Sequence, residues 1–197
     1  QNDLTQAIQG ADTLFPGGKS SSPIMKFIAS AESNYGNYNP ETALSYGPFQ
    51  IDPIRYYDIA QNPERVQGRH KERLDEANKF LRKKFDDPEF DIGNLATYNP
   101  ETQDYIPESR NLEYLRDPNV GAMLTRLALK QRPEDLPQGN EEMADYYMDF
   151  WGPKDQSPEK RGQALSNYNL YHPAAKTNQP VDDTMAGYNK VENAFTK

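Results

Sequence analysis

Apolar positions along this chain recur at intervals of three and four residues, the spacing that places them on one face of an α-helix. The first clear case begins at Ser22-Pro23, where a capping residue precedes the residue best suited to the first helical turn. Ile24, Phe27, Ile28 and Ala31 follow as its apolar stripe, and Gly36 is the expected stop. The same signals predict further helices over 53–60, 68–85, from Asp117-Pro118, from Asn140, from Ser157 to Asn169 and from Asp183 to Phe195.

The segments between these helices carry Asn, Pro and Gly rather than long β-branched runs. Residues 37–52 are predicted to be a loop with a short hairpin, and residues 86–116 to be mostly irregular. The fold class predicted is therefore mainly α, with at most a small β element.

Three parts of the chain differ in pattern. Residues 1–21 are interpreted as a loose N-terminal lead-in and linker, because Leu4 and Ile8 support only one helical turn before Pro16-Gly17-Gly18. Residues 22–173 carry the main helical signals and form the predicted domain. Residues 174–197 are predicted to be a C-terminal helical extension.

Composition narrows the function classes. The 197 residues carry a net charge of −8 and no cysteine, which argues against a general nucleic-acid binder and excludes disulfides and thiolate metal sites. The sequence shows no apolar run near the roughly 18 residues of a membrane span, and no signal-peptide pattern is visible. Because the first residue is Gln rather than Met, we expect a chain that was processed or cut from a longer one.

Glu32 is the candidate catalytic residue. It follows the apolar stripe of the first strong helix, at a C-terminus whose partial negative charge disfavours ionisation. Burial beside Phe27 and Ile28 would disfavour ionisation further, giving a carboxylic acid that stays protonated near neutral pH. Such a group can protonate a glycosidic oxygen. The ordinary alternative is a solvated glutamate at a helix end.

The neighbouring motifs give Glu32 more weight. Glu32-Ser33 is followed by the loop Gly47-Pro48-Phe49-Gln50, then by Asp117-Pro118-Asn119-Val120-Gly121 and by Ala164-Leu165-Ser166-Asn167-Tyr168-Asn169. In this order they resemble the helix-ending Glu-Ser, the Gly-x-x-Gln loop, the Asp-Pro helix start and the Ala-Tyr-Asn segment of lytic transglycosylases and goose-type lysozymes. The resemblance covers roughly residues 22–172, and the middle of the Gln loop departs from the usual Leu-Met.

The resemblance implies a lysozyme-like α+β fold with a two-lobed substrate groove, no cofactor and no metal. It implies cleavage of peptidoglycan at the β-1,4 bond between N-acetylmuramic acid and N-acetylglucosamine, with Glu32 as general acid and then base. The substrate-binding residues expected on this basis are Ser45, Tyr46, Phe49, Gln50, Tyr168 and Asn169.

Hydrolysis is the competing chemistry, because a hydrolase usually needs a second carboxylate. Glu41 and Asp52 flank the Gln loop and are the candidates, although each also has the position of a turn or cap residue. A transglycosylase needs neither, since the 6-hydroxyl of the sugar is its nucleophile.

Two other function classes stay open. One is a non-catalytic lysozyme-like module that binds glycan or has a structural part in a phage particle or secretion machine. The other is an α-helical adaptor without a groove at Glu32. For the enzyme we expect action in the periplasm or cell wall, glycan strands as partner, and other virion or secretion-machine proteins as further partners.

His70 and His172 lack the spacing of metal ligands. The basic stretch 65–84 is interpreted as a solvated helix face, with docking to the wall as the alternative.

Overall fold

The computed structural model describes residues 2–16, 19–37, 45–99, 101, 104–107, 111–132, 135–152 and 156–173. Within these ranges the chain forms eight α-helices and one two-stranded antiparallel sheet, which confirms the mainly α class with a small β element. The elements are α1 (Asn2–Leu14), α2 (Ser22–Ser33), α3 (Pro53–Ala60), α4 (Gly68–Phe85), β1 (Ala96–Asn99), β2 (Asp104–Pro107), α5 (Leu112–Arg116), α6 (Pro118–Lys130), α7 (Asn140–Phe150) and α8 (Pro158–Tyr171).

Side-chain caps start three of the helices where the cap-plus-proline signal predicts them. Asp52 accepts a hydrogen bond from Arg55 N at 2.8 Å, Asp117 accepts one from Asn119 N at 2.7 Å, and Ser157 accepts one from Lys160 N at 3.4 Å. Proline follows each cap, because its fixed φ suits the first turn.

Helix α6 is the centre of the molecule. Every residue from Val120 to Leu129 is buried, and α1, α3, α4 and α5 pack around it. A helix that is buried on all sides must be enclosed by other elements, so α6 organises one side of the core. Helices α7 and α8 pack instead on α2, which also contacts α1 and α6.

The interpretation of residues 1–21 as a loose lead-in is wrong. Residues Asn2–Leu14 form a helix whose buried face consists of Leu4, Ala7, Ile8 and Ala11, and this face packs on α6. The two alanines complete a stripe at i, i+3, i+4 and i+7. Because alanine contributes little to a hydrophobicity pattern, Leu4 and Ile8 alone gave the impression of a single turn.

The serines before α2 are also not a flexible linker. Asp12 of α1 accepts hydrogen bonds from Ser21 N at 2.9 Å and Ser21 Oγ at 2.6 Å, and it lies 3.7 Å from Nε of Arg126. The Arg126 side chain is only 2% exposed. Burial acts to raise the pKa of Asp12, but the hydrogen bonds from Ser20 and Ser21 and the charge of Arg126 together hold it below its ordinary value. Asp12 thereby joins α1, α2 and α6.

The segment 86–116 is more regular than its sequence pattern indicates. Strands β1 and β2 pair in antiparallel register from Ala96 opposite Pro107 to Asn99 opposite Asp104, and α5 follows. Each element is only four or five residues long, which is too short for a recognisable period. In the 37–52 loop, Tyr46 and Ile51 form an antiparallel bridge around a tight turn, which agrees with the predicted short hairpin.

Part of the predicted organisation falls outside the described residues: positions 38–44, the helix Asp183–Phe195 and the extension 174–197. The boundary at residue 173 therefore stays a prediction. Among the helices that the structure describes, none combines the length and apolar character needed to cross a bilayer.

Candidate functional site

Glu32 lies in the last turn of α2. The helix ends because Asn34 adopts a left-handed conformation with φ of 50°, and its N–H and that of Tyr35 return to the carbonyls of Ser30 and Ala29. This termination leaves the Glu32 side chain at the edge of the packed core rather than on an exposed helix face.

A cleft of about 520 Å³ opens in front of Glu32. It is lined by the end of α2, the loop after residue 45, the start of α3, the end of α7 and one face of α8. The lining residues are Ala31, Glu32, Ser45, Gln50, Asp52, Arg55, Tyr147, Trp151, Gly152, Lys160, Gln163, Ala164 and Asn167. The α-helical adaptor was defined by the lack of a groove at Glu32, so the presence of this cleft argues against it.

The Glu32 carboxyl is half-buried, and its Oε1 accepts a hydrogen bond from the Tyr147 hydroxyl at 3.0 Å. Burial raises the pKa of Glu32 from its ordinary 4.5 to about 7. The Tyr147 hydrogen bond and the charge of Arg55 act in the opposite direction, and the charge of Asp52 adds to the increase. The direction of this shift agrees with the expectation that burial disfavours ionisation of Glu32. The contribution of the helix terminus stays a prediction.

Ser33 connects the end of α2 to the glutamine loop. Its Oγ lies 2.9 Å from the Ala29 carbonyl oxygen and 2.7 Å from that of Pro48, and it accepts a hydrogen bond from Gly36 N. A Glu-Ser pair therefore fixes two things at once: the acid faces the cleft while its neighbour holds the loop that forms the cleft floor.

The loop Gly47-Pro48-Phe49-Gln50 depends on glycine at its first position. Gly47 has φ of +69°, and a Cβ there would lie 2.8 Å from the backbone oxygen of Leu115. Gln50 also has a left-handed φ, of 45°, and its Nε2 donates to Gly47 O at 2.8 Å. This side chain reaches the cleft wall, as expected for a residue that shapes the floor.

The prediction that Phe49 is a substrate-binding residue is wrong, because its side chain is not exposed to the cleft. Its ring is fully buried against Gly121 of α6, where an added Cβ would come within 2.9 Å of Phe49 Cδ2. The backbone oxygen of Phe49 accepts a hydrogen bond from Trp151 Nε1 at 3.2 Å. Phe49 therefore anchors the loop to α6 and to the end of α7.

Asp52 and Arg55 form a charged pair at the cleft wall. Besides capping α3, Asp52 lies 3.5 Å from Nη1 of Arg55. The Arg55 guanidinium is held 4.0 Å over the Trp151 ring and donates to Trp151 O at 3.2 Å. The cap interpretation of Asp52 is confirmed, and its place in the cleft keeps the second-carboxylate alternative as a prediction. Glu41 lies outside the described residues.

The remaining expected binding residues divide into two groups. Ser45 lines the cleft, whereas Tyr46 lines a small apolar crevice beside it, together with Pro53 and Leu115. Tyr168 is buried and stacks on Phe27 with ring centres 5.1 Å apart, and Asn169 is exposed and accepts a hydrogen bond from Asn140. Neither Tyr168 nor Asn169 is part of the cleft lining, so the structure does not bring them to Glu32.

The tyrosine beside Glu32 is Tyr147, whereas Tyr168, the tyrosine that the resemblance indicated as a substrate-binding residue, lies away from it. In the sequence, Tyr147 has the spacing of a core residue of α7, and only its hydroxyl distinguishes it from its apolar neighbours. Its ring is confined by Gly152, where a Cβ would meet Tyr147 Cε1 at 3.1 Å. Further cleft residues missed by sequence reasoning are Arg55, Trp151, Lys160, Gln163 and Asn167. The one local signal for Arg55 was its position three residues after the helix cap Asp52, which places the two side chains within reach of each other.

No cluster of three or more histidine, aspartate and glutamate side chains suited to a metal ion occurs in the described part of the chain. No protein-family model, curated protein or solved structure matches this protein. The functional assignment therefore depends on the cleft and its chemistry.

Proposed function

We propose that this protein cleaves the glycan strands of peptidoglycan at the β-1,4 bond between N-acetylmuramic acid and N-acetylglucosamine, with Glu32 as the general acid and base. The observation that carries the proposal is a half-buried glutamate with a pKa of about 7 in the wall of an open cleft. An acid with a pKa close to the working pH is half protonated there and can both give and take a proton.

In the first step, Glu32 donates its proton to the glycosidic oxygen. The bond between that oxygen and C1 of the muramyl residue breaks, the electron pair stays with the leaving oxygen, and positive charge develops on the sugar ring. Glu32 is then a carboxylate. It accepts the proton of the muramyl 6-hydroxyl as that oxygen attacks C1, which closes a 1,6-anhydro ring and restores protonated Glu32. Neither step needs a second carboxylate or a cofactor.

The Tyr147 hydroxyl fits this cycle because it donates to one carboxyl oxygen and leaves the other for the substrate. It also stabilises the carboxylate that exists between the two steps. Hydrolysis is the variant in which water attacks instead, with Asp52 as the carboxylate that activates it. The engagement of Asp52 with Arg55 and with the start of α3 favours the single-acid route.

The lysozyme-like, two-lobed architecture is part of the same proposal. The cleft receives residues from α2, the loop 45–52, α3, α7 and α8. The substrate implies action in the periplasm or cell wall.

The decisive experiment compares wild type, Glu32→Gln and the exposed control Glu89→Gln on purified peptidoglycan, with mass analysis of soluble fragments. We expect wild type and Glu89→Gln to release anhydro-muropeptides, and Glu32→Gln to lose about 10²- to 10⁴-fold in rate, the usual contribution of a general acid. Circular dichroism checks that each variant is folded.

Other outcomes change the assignment in defined ways. Hydrated reducing ends would identify a lysozyme and direct attention to Asp52 and Glu41. Equal release by wild type and Glu32→Gln would remove Glu32 from the mechanism. Binding of glycan by folded wild type without release from several wall types would establish the non-catalytic module.

A further inference from the structure

Asp52 is a second carboxylate in the cleft, and both of its oxygens face the same residue. Its Oδ1 accepts a hydrogen bond from Arg55 N at 2.8 Å, and its Oδ2 lies 3.5 Å from Arg55 Nη1. Burial is the main cause of the raised pKa of Glu32, and the charge of Asp52 adds to it, which places Asp52 near the acid. A carboxylate in this place is suited to activate a water molecule for attack on the sugar, unless another group engages it.

Arg55 is itself held in place by Trp151. Its guanidinium lies 4.0 Å over the Trp151 ring, and its Nη2 donates to Trp151 O at 3.2 Å. Trp151 is 2% exposed and donates from Nε1 to Phe49 O at 3.2 Å, so the ring cannot turn away without breaking a buried hydrogen bond. The Arg55 side chain is only 20% exposed, and a charge that is largely buried favours a counter-ion beside it. The guanidinium therefore stays where it pairs with Asp52.

The engagement of Asp52 decides which nucleophile the cleaved sugar meets. A general base has to receive the proton of the attacking water through a hydrogen bond of about 2.6–3.2 Å. The guanidinium of Arg55 faces Oδ2 of Asp52, and the backbone at the start of α3 holds Oδ1. Water is not activated at Asp52, because this carboxylate already serves as the counter-ion of Arg55. The 6-hydroxyl of the sugar, whose proton Glu32 accepts, then attacks first.

We infer that Arg55 selects the product of the reaction: by holding Asp52 as its counter-ion, it directs the cleaved muramyl residue to the 1,6-anhydro form rather than the hydrated form. Arg55 acts through Asp52 and is therefore a positioning residue. The inference rests on the proposed function and adds to it the residue that decides between ring closure and hydrolysis.

Replacement of Arg55 by a neutral side chain opens the hydrolytic route. Glu32 again protonates the glycosidic oxygen, which leaves with the electron pair of the broken bond. The oxygen of a water molecule then bonds to C1, and one proton of that water passes to Asp52. Asp52 releases a proton to solvent and Glu32 takes one up, so that both groups return to their starting states and the muramyl residue carries a hydroxyl at C1.

The test measures the ratio of hydrated to anhydro reducing ends among fragments released from purified peptidoglycan, by mass analysis. This ratio does not depend on how much of a variant is folded or active. Arg55→Met keeps an apolar stem against Trp151 and is expected to raise the ratio at least about tenfold, since a general base usually contributes about 10²- to 10⁴-fold. Arg55→Lys keeps a charge that can pair with Asp52 and should retain the anhydro product.

Two controls separate the effect of Asp52 from a general disturbance of the cleft. Asp52→Asn combined with Arg55→Met should return the ratio to that of wild type, because asparagine still caps a helix but is not a base. Arg132→Met is the matched control: Arg132 lies 4.3 Å over the Phe150 ring, is not part of the cleft lining, and should not affect the ratio when replaced. Arg55→Gln is a second neutral replacement, used if circular dichroism shows Arg55→Met to be unfolded.

The outcomes distinguish the inference from the proposed function. An unchanged ratio in a folded neutral variant of Arg55, or a raised ratio that persists after Asp52→Asn, would overturn the role of Arg55 while leaving glycan cleavage in place. Hydrated ends as the main product of wild type would overturn it as well. Absence of any release by folded wild type would instead refute the proposed function and the inference with it.

Discussion

Glu32 holds its proton because protein atoms replace the water that would otherwise stabilise its charge. In the proposed mechanism this burial prepares Glu32 for acid catalysis, and it also makes ionisation of Glu32 in the folded protein unfavourable. A functional acid of this kind should therefore be detectable in the stability of the protein, independently of any substrate.

The stability of wild type should fall as pH rises from about 4.5 to about 7, since the folded state holds a proton there that the unfolded chain has released. Glu32→Gln removes this dependence. Its free energy of unfolding should approach that of wild type at pH 4 and exceed it above pH 7, by at most about 3 kcal/mol. Urea unfolding at both pH values measures the difference, with Glu89→Gln as the control. A difference that does not grow with pH would mean that Glu32 ionises normally.

In the proposed mechanism, Tyr147 lowers the pKa of Glu32 and thereby limits activity at alkaline pH. Its hydrogen bond favours ionised Glu32, so Tyr147→Phe should raise the Glu32 pKa and extend activity to higher pH. At acidic pH the rate should fall only about fivefold, which corresponds to the net contribution of the one hydrogen bond that is lost. The pH dependence of kcat/KM tests this, with Tyr114→Phe, whose hydroxyl bonds Asp87 outside the cleft, as control. A downward shift of the alkaline limb would contradict the assigned donor.

At the scale of elements, the junction of α1, α2 and α6 depends on Asp12. Asp12→Ala leaves the buried Arg126 guanidinium without its ion pair and the serines before α2 without their acceptor. We expect a loss of about 3 kcal/mol in the free energy of unfolding at pH 7. Because the pKa of Asp12 is lowered in the folded state, this loss should shrink as pH falls below the ordinary value of 3.8.

The matched control for Asp12 is Asp135→Ala, whose side chain is 88% exposed and lies 4.0 Å from Lys19. This change should cost less than about 0.5 kcal/mol in urea unfolding. Similar losses for both variants would show that α1 does not depend on the buried pair.

The sequence predicted those elements whose signals are local. Caps such as Asp117 and stripes such as Val120 to Leu127 determine a helix from neighbouring residues alone, and α2, α3, α4, α6, α7 and α8 were predicted this way. The strands β1 and β2 were missed because four residues are stabilised by their partner strand, which the local pattern does not contain. Helix α1 was missed because Ala7 and Ala11 become core residues only against α6.

The same distinction applies to the site. Glu32, Gln50 and Asp52 could be identified because a helix end, a glycine loop and a cap are local features. Tyr147 could not, since it reaches Glu32 across 115 positions of sequence and its spacing on α7 is that of a core residue. Phe49 was misassigned for the related reason that exposure of an aromatic ring is decided by the helix opposite, here at Gly121.

At the scale of the whole molecule, net charge and local charge act differently. The chain carries −8, and peptidoglycan carries carboxylates, so protein and intact wall repel each other over a Debye length, about 30 Å at 0.01 M salt and 10 Å at 0.1 M. On α4 the positive side chains are interleaved with Glu72, Asp75 and Glu76, which supports the solvated-face interpretation.

Binding of Glu32→Gln to insoluble peptidoglycan should therefore strengthen as salt rises from about 0.01 to 0.1 M, because screening removes the repulsion between two anionic surfaces. Co-sedimentation measures the bound fraction, and insoluble chitin, which is neutral, is the control that should respond little. Weakening over the same range would show instead that a cationic surface docks the protein to the wall. Lys83→Glu and Lys84→Glu on α4 would then test the basic stretch as that surface, because reversing its charge should abolish the salt dependence.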